Sequence, residues 1–383
     1  MGRSQQPVPT VTHHNPPTLI YLHVPFCHRK CTYCAFYSVR STAADVEGYV
    51  DALLAEMELR KGEHAHAVRT VYFGGGTPSL LPPGQMARVV EGLRRCFDLS
   101  QVEEATLEAN PEDLTPRYLS DLSALHFFNR VSIGVQSLDD RVLHLLNRRH
   151  TARQALDAVE NTRRAGIGNI SVDFIYGLPW DAGMTALPDG IDHISAYALT
   201  LEPGTALAVQ VGQGRVAMPG DDEVVRQYHA LHRAFEAAGF RQYEVSNYAR
   251  PGFESRHNSR YWDRTPYLGL GPAAHSFDGR HRRWNHSDVR HYIATMLSPD
   301  GPGDCCTQET LTDADAYNEM LMTALRTVRG IVLAEVPASR REALIQGVQP
   351  YIECGWLVRD LDCIRPTAEG LLHADGMAAA LFV

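Results

Sequence analysis

Cys27, Cys31 and Cys34 stand in the spacing C-x3-C-x2-C, inside the run Tyr21-Leu22-His23-Val24-Pro25-Phe26-Cys27-His28-Arg29-Lys30-Cys31-Thr32-Tyr33-Cys34-Ala35-Phe36-Tyr37. Thiolates this close can hold three irons of a [4Fe–4S] cluster, and no fourth cysteine is near enough to close the site. One iron is then left open for a ligand that is not protein. Structural zinc is the main alternative, but it wants four ligands, and no second cysteine pair follows; His28 is cramped between the thiols. Burial as small hydrophobes would account for one or two thiols, not for three beside His28, Arg29 and Lys30.

Further along, Gly74-Gly75-Gly76-Thr77-Pro78 follows an apolar run. Glycines there let the backbone approach a bound group closely, although a tight turn between strand and helix needs them too. Glu108 precedes Asn110-Pro111 at the end of another run and reads equally as a solvated acid. Asp173 differs, because it stands inside the apolar stretch 169–176, where an unpaired carboxylate is costly. His257-Asn258-Ser259-Arg260-Tyr261-Trp262 sets a histidine beside large flat rings, the groups that ligate an iron and stack on a porphyrin. A histidine capping a structural loop is the plainer reading. His275, His281 and His286 are spare candidates among 18 histidines.

The elements that must position these residues alternate. Strands are expected over 19–24, 68–73, 105–109, 130–135, 169–176 and 193–199, with helices over 45–60, 83–96, 117–125 and 153–165 between them. Strands alternating with helices imply a parallel sheet whose functional groups gather at the C-terminal strand ends. The connection across 180–191 is thin for a parallel crossover, which needs about 10–12 residues and normally a helix. A helix over 222–238, a strand-like 243–249 and a polar, aromatic run over 256–277 follow. Residues 298–303 are rich in Pro and Gly and mark the start of a second unit, with helices over 313–328 and 339–353 and a hairpin over 355–367. The expected division is a disordered lead-in over 1–17, a main domain over 18–297 and a small winged-helix-like α+β domain over 298–383.

With 383 residues, a 44% apolar share and a net charge of −9, the chain is a globular protein with no electrostatic reason to bind nucleic acid. No stretch approaches about eighteen uninterrupted apolar residues and the N-terminus lacks a secretory core, so a cytoplasmic protein is expected, with at most transient docking at a membrane. The eight cysteines then read as reduced thiols or cluster ligands, with Cys96, Cys354 and Cys363 as core residues.

The cysteine trio after a first strand resembles the signature of the radical S-adenosylmethionine (SAM) superfamily. Tyr21 to Cys27 resembles its branch of oxygen-independent coproporphyrinogen III oxidases and their haem-chaperone relatives. The resemblance implies a partial (β/α)6 barrel, a [4Fe–4S] cluster on Cys27, Cys31 and Cys34, and SAM chelating the open iron. It further implies a SAM site containing Gly75, Gly76 and Thr77 for the methionyl amino group, together with Glu108, Gln136, Arg148 and Asp173, whose partner would be a cofactor hydroxyl or Arg148. Tyr33 would flank the cluster and Tyr21 the sulfonium end. His257 to Trp262 resembles the His-Asn-x-x-Tyr-Trp motif of the HemW-type haem chaperones, with His257 the implied haem ligand, and Cys34-Ala35-Phe36 lacks the additional cysteine of the oxidases. The function so implied is binding haem as cargo and delivering it to apo-haemoproteins such as respiratory enzymes. The alternative is an enzyme that oxidatively decarboxylates coproporphyrinogen III.

Overall fold

The expected alternation is present in the computed structural model, which describes residues 18–40, 42–63, 66–180 and 187–383. β1 (Leu19–Val24) leads to α1 (Ala43–Arg60), β2 (Thr70–Gly75) to α2 (Pro83–Cys96), and β3 (Glu104–Ala109) to α3 (Pro116–Ala124). β4 (Arg130–Gln136) leads to α4 (Asp140–Leu145) and α5 (Ala152–Arg164), and β5 (Asn169–Tyr176) to β6 (His193–Ala198). The six strands pair in parallel in chain order, which is the partial barrel. The lead-in over 1–17 and the middle of the thin connection, 181–186, lie outside the described residues.

Local chemistry starts these helices where they start. Thr42 and Asp45 exchange side-chain-to-backbone hydrogen bonds at the head of α1, and Thr151 and Gln154 do the same for α5. Proline opens α2 and α3, where its missing N–H costs nothing. α4 was not expected from the sequence, since six residues are too few to show a periodicity.

Within the strands the two faces differ. Ile20, Leu22, Val71, Phe73, Leu107, Val131, Ile133, Ile170, Val172 and Ile194 point outward into one hydrophobic cluster shared with the helices. The alternate residues point inward and are polar: Tyr21, His23, Thr70, Tyr72, Glu104, Thr106, Glu108, Arg130, Ser132, Ser171, Asp173, His193 and Ser195. The outer face supplies stability, at about 1.5–3 kcal/mol for each fully buried aliphatic side chain. The inner face is free to hold a site.

Past the barrel come α6 (Ala206–Gly212) and α7 (Asp221–Ala237). Next are β7 (Arg241–Glu244), β8 (Asn247–Ala249), α8 (Arg256–Trp262), β9 (Tyr267–Leu270), β10 (His275–Phe277), β11 (His281–Asn285), α9 (Val289–Met296) and β12 (Cys306–Thr310). The strand-like 243–249 is two short strands, and the aromatic run is a helix followed by strands. β9 adds to β1 in parallel, so among the described residues the large sheet has twelve strands in the order β12-β11-β10-β9-β1-β2-β3-β4-β5-β6-β8-β7. β12 pairs with β11 along its whole length, so residues 306–310 extend the large sheet although they lie beyond the Pro/Gly-rich stretch. We therefore place the division after Thr310.

The second unit comprises α10 (Asp313–Leu325), β13 (Ile331–Val332), α11 (Ala338–Gly347), α12 (Gln349–Glu353), β14 (Leu357–Asp360), β15 (Cys363–Pro366), α13 (Ala368–Leu372) and α14 (Ala374–Ala380). Its antiparallel sheet, β13-β15-β14, covers a separate core around Leu321, Leu325, Val348 and Ile364, as a winged-helix-like module requires. Pro350, in the first turn of α12, splits the helix expected over 339–353. Of the three cysteines assigned to the core only Cys96 is buried; Cys354 is exposed and Cys363 half-buried, because the turn before β14 and the hairpin tip face outward.

Candidate functional site

The cysteine loop leaves the C-terminal end of β1 and is held from both sides. Cys27 N–H donates to the Val39 carbonyl at 3.0 Å, and Thr32 donates to the carbonyls of Leu145 and Leu146 at the C-terminal end of α4. All three thiols are free and half-buried. Burial pushes the Cys34 thiol up, and the neighbouring Cys31 and Cys27 push it further, a charge problem that bound cations would relieve. Among the described residues no three His, Cys, Asp or Glu side chains converge on a point suited to one metal ion. Thiolates that each take a different iron have no need to converge in that way.

A chain of side-chain contacts ties two of the thiols together through the strand ends. Cys27 Sγ lies 3.4 Å from Thr77 Oγ1, which accepts from Asn110 Nδ2 at 3.2 Å. Asn110 Oδ1 accepts from Arg148 Nη2 at 2.6 Å, and Arg148 Nη1 donates to Cys31 Sγ at 3.4 Å. Arg148 Nη2 also reaches the Gly134 carbonyl at 2.7 Å. A Cβ on Gly134 would sit 2.9 Å from Gln136 Nε2 and 3.2 Å from Arg148 Nη2, so the absence of a side chain there lets Gln136 and Arg148 pack over β4. Gln136 itself sits at φ +66° beside a register shift in β4, backbone strain at a predicted site residue.

The glycine loop is equally constrained. Gly75 has φ +110°, and a Cβ there would lie 2.7 Å from the His23 ring; one on Gly76 would lie 2.7 Å from the Phe26 carbonyl oxygen. Gly75 N–H donates to Glu108 Oε2 at 3.2 Å, and the Tyr72 hydroxyl donates to Glu108 Oε1 at 2.7 Å. Burial nonetheless raises Glu108 to about 7, with the nearby Asp173 adding to the effect against those two hydrogen bonds. Asp173 is raised by burial as well, and its partners are the hydroxyls of Ser132, at 3.1 Å, and Ser195. Arg148 acts on Asp173 only as a nearby charge, because its hydrogen bonds go to Asn110, Gly134 and Cys31. Tyr33 packs against Val142, Leu146, Ile175 and Leu178 beside the thiols, and Tyr21 bonds His23 Nδ1 at 3.2 Å and stacks on Tyr72.

His257 is placed differently from the expectation. Its ring is 0% exposed, with Nδ1 2.7 Å from Thr70 Oγ1 and Nε2 2.8 Å from the Tyr261 hydroxyl, and it stacks on Tyr72 at 5.0 Å. Its backbone N–H donates to Glu104, so α8 plugs into the polar face of the barrel. Burial lowers its pKa to about 3. With both nitrogens engaged, it offers no lone pair to an iron in this arrangement. The other end of the motif faces open space: Tyr261 and Trp262 line a cavity of about 650 Å3 between the cysteine loop and α10. Ala35, Phe36 and Tyr37 form the wall next to the thiols, and His275, Phe277 and Arg282 form the wall from β10 and β11.

Residues 21–182 match the Radical SAM superfamily, and residues 311–373 match the HemN C-terminal domain. The chain is 37% identical over 376 residues to heme chaperone HemW of Mycobacterium tuberculosis (strain CDC 1551 / Oshkosh), covering 94% of each. The chain belongs to the radical SAM superfamily, in the HemW family. Heme chaperone HemW of Lactococcus lactis subsp. lactis (strain IL1403) is 33% identical over 324 residues, 83% of each chain. Among solved structures, the coproporphyrinogen III oxidase HemN from Escherichia coli superposes with a TM-score of 0.78 over 97% of this chain and 92% of its own, at 21% identity, which establishes the shared fold. Membership in the radical SAM superfamily implies a [4Fe–4S] cluster and SAM.

The three thiols, the glycine loop, Glu108, Gln136, Arg148 and Asp173 are gathered at the C-terminal ends of β1 to β5, where this superfamily's fold should gather them. Tyr72, Asn110, Ser132, Ser195 and His23 hold them and were not singled out from the sequence. The signal available was the alternation of the strands, which puts Tyr72 and His23 on the same inward face as Glu108.

Proposed function

We propose that the protein binds haem in the cavity beside its cysteine loop and passes it to apo-haemoproteins, in a reducing compartment such as the cytoplasm. One observation carries this reading: a cavity of haem-compatible size, about 650 Å3 and walled by aromatic rings, opens beside Cys34-Ala35-Phe36. Phe36 at its rim is 72% exposed, so one edge is available to an acceptor protein. The HemW names of the relatives support the same reading.

In this reading Cys27, Cys31 and Cys34 hold the cluster, and Thr77, Asn110 and Arg148 keep two of them in place. The N–H groups of Gly75 and Gly76 are taken by Glu108 and the Val24 carbonyl, so this edge offers acceptors and the Glu108 carboxylate to the ammonium of SAM. Asp173 and Gln136 lie further along the strand ends, within the same SAM site. Held by Cys27, Cys31 and Cys34, the cluster would supply reducing electrons to SAM bound beside it. Tyr33 closes the thiol side against water with Leu146 and Leu178. His257 holds the Tyr261 hydroxyl in the cavity wall instead of meeting the iron.

The test is a haemin titration of the full chain with its cluster reconstituted, followed by addition of an apo-haemoprotein. A Soret shift that then moves to the acceptor is expected. No shift removes the reading, and conversion of coproporphyrinogen III to protoporphyrinogen IX with SAM and a reductant replaces it with the oxidase.

A further inference from the structure

On that reading, we infer that His275 is the residue that ligates the haem iron. Its place on β10 supplies the argument. β10 alternates, so Ser276 turns away to bond Arg60 and Gly269 while His275 and Phe277 share the face that lines the cavity. Two histidines line that space, and they differ in what their nitrogens do. His23 Nδ1 meets the Tyr21 hydroxyl at 3.2 Å and its Nε2 the Tyr37 carbonyl at 3.1 Å, so both are committed. His275 is exposed, among the described residues no hydrogen bond reaches its ring nitrogens, and its orientation is set by stacking on Trp284 at 5.7 Å with 20° between the planes. His281 and His286 are not among the residues lining the cavity, and each has one ring nitrogen bonded elsewhere: His281 Nδ1 to Asp278 at 2.8 Å and His286 Nε2 to Thr307 at 3.2 Å.

The surroundings suit a metalloporphyrin rather than a bare cation. Arg264 and Arg282 lie over the Phe277 ring at 5.8 and 5.6 Å, so two guanidinium groups flank a residue on the same face as His275, about 6.6 Å along the strand. Arginine pairs with carboxylates in two-pronged fashion, so these two groups suit the carboxylate edge of a porphyrin. Glu319 of α10 already accepts from Arg282 at 2.8 Å, so ligand carboxylates would compete with it for that guanidinium. Tyr21, Tyr261 and Tyr267 offer flat surfaces for the ring, and Met322 of α10 faces it from the other unit. Partial enclosure by the cavity wall and the Arg282 charge lower the pKa of His275, which keeps its imidazole neutral and able to donate a lone pair.

The experiment compares the full-chain wild type, cluster reconstituted, with His275→Gly and His275→Met, each titrated with haemin. Circular dichroism and the cluster absorbance confirm that each variant is folded. The expected result is a shifted Soret band in the wild type, its loss in His275→Gly, its return when free imidazole is added, and a band at a different wavelength in His275→Met. A merely structural role for His275 would not be rescued by imidazole in solution. If both variants keep the wild-type band, the haem function stands and His275 is not the ligand. If the wild type itself shows no shift, the inference and the function it rests on both fall.

Discussion

The Glu108→Gln substitution separates what the glycine loop needs for folding from what it needs for binding. The Glu108 carboxyl is buried, accepts one hydrogen bond from Tyr72 and one from Gly75, and still titrates near 7 in place of 4.5. A carboxyl whose folded pKa is raised contributes most at low pH. Between about pH 4.5 and 7 the unfolded chain has lost the proton that the folded chain keeps, so stability falls as pH rises through that window. At about 1.4 kcal/mol per pH unit, the ionised carboxylate costs the protein without SAM about 3 kcal/mol by pH 8. Glutamine keeps an oxygen for Gly75 N–H, and its amide can donate to the Tyr72 oxygen, so most of the geometry survives. Without SAM, the variant should therefore be more stable than wild type by about 1–3 kcal/mol at pH 8, with the gap narrowing towards pH 5. It should also bind SAM more weakly, because the anion facing the ammonium is gone. Urea denaturation of the cluster-free protein at the two pH values reads the first effect, and calorimetric titration of the reconstituted protein with SAM reads the second. A variant less stable than wild type at pH 8, or one equally offset at both pH values, would refute the claim that a desolvated carboxylate is held ready for a cation.

Arg148→Ala leaves the Gly134 carbonyl and Asn110 Oδ1 without a donor and frees Cys31, so a loss of about 1–3 kcal/mol and faster iron release to a chelator are expected; unchanged release kinetics would contradict the tethering role. His257→Asn should flatten the acid side of the stability profile. The wild-type imidazole titrates near 3 instead of 6.5, so its contribution is complete above about pH 6.5 and declines at about 1.4 kcal/mol per pH unit below it. Urea midpoints at pH 7 and 5 measure this, and equal slopes in the two proteins would count against a neutral, buried ring. Arg264→Ala with Arg282→Ala should weaken haemin binding and reduce its dependence on salt, measured as the dissociation constant at low and high ionic strength; an unchanged salt dependence rules out carboxylate pairing there.

Much of the barrel could be read in advance because each strand's outward residues are apolar with period two and α1, α2, α3 and α5 begin at a capping threonine or a proline. Those signals are local, so bounds such as Pro83–Cys96 and Asn169–Tyr176 follow from short windows of sequence. α4 is too short to show a periodicity, Pro350 is a local breaker inside an otherwise helical pattern, and only the pairing of β12 is set by a partner outside its own window, β11.

For the site, the sequence by itself determined the ligand chemistry. Cys27, Cys31 and Cys34 fall within eight residues of chain, close enough for a single loop to bring them onto one cluster. It also singled out Gly75 and Glu108 at strand ends and Asp173 inside an apolar strand, and the family resemblance added Arg148. Only the tertiary structure decided how these groups divide the work. Arg148 turns to Cys31 rather than Asp173, Asn110 bridges Thr77 to Arg148, and α8 buries His257 while aiming Tyr261 and Trp262 into the cavity. The distinction between His257 and His275 illustrates the reason. Both are histidines beside aromatic residues in the sequence, and which one keeps a free nitrogen depends on hydrogen-bond partners contributed by β2 and α8 on one side and by the edge of the β10–β11 pair on the other.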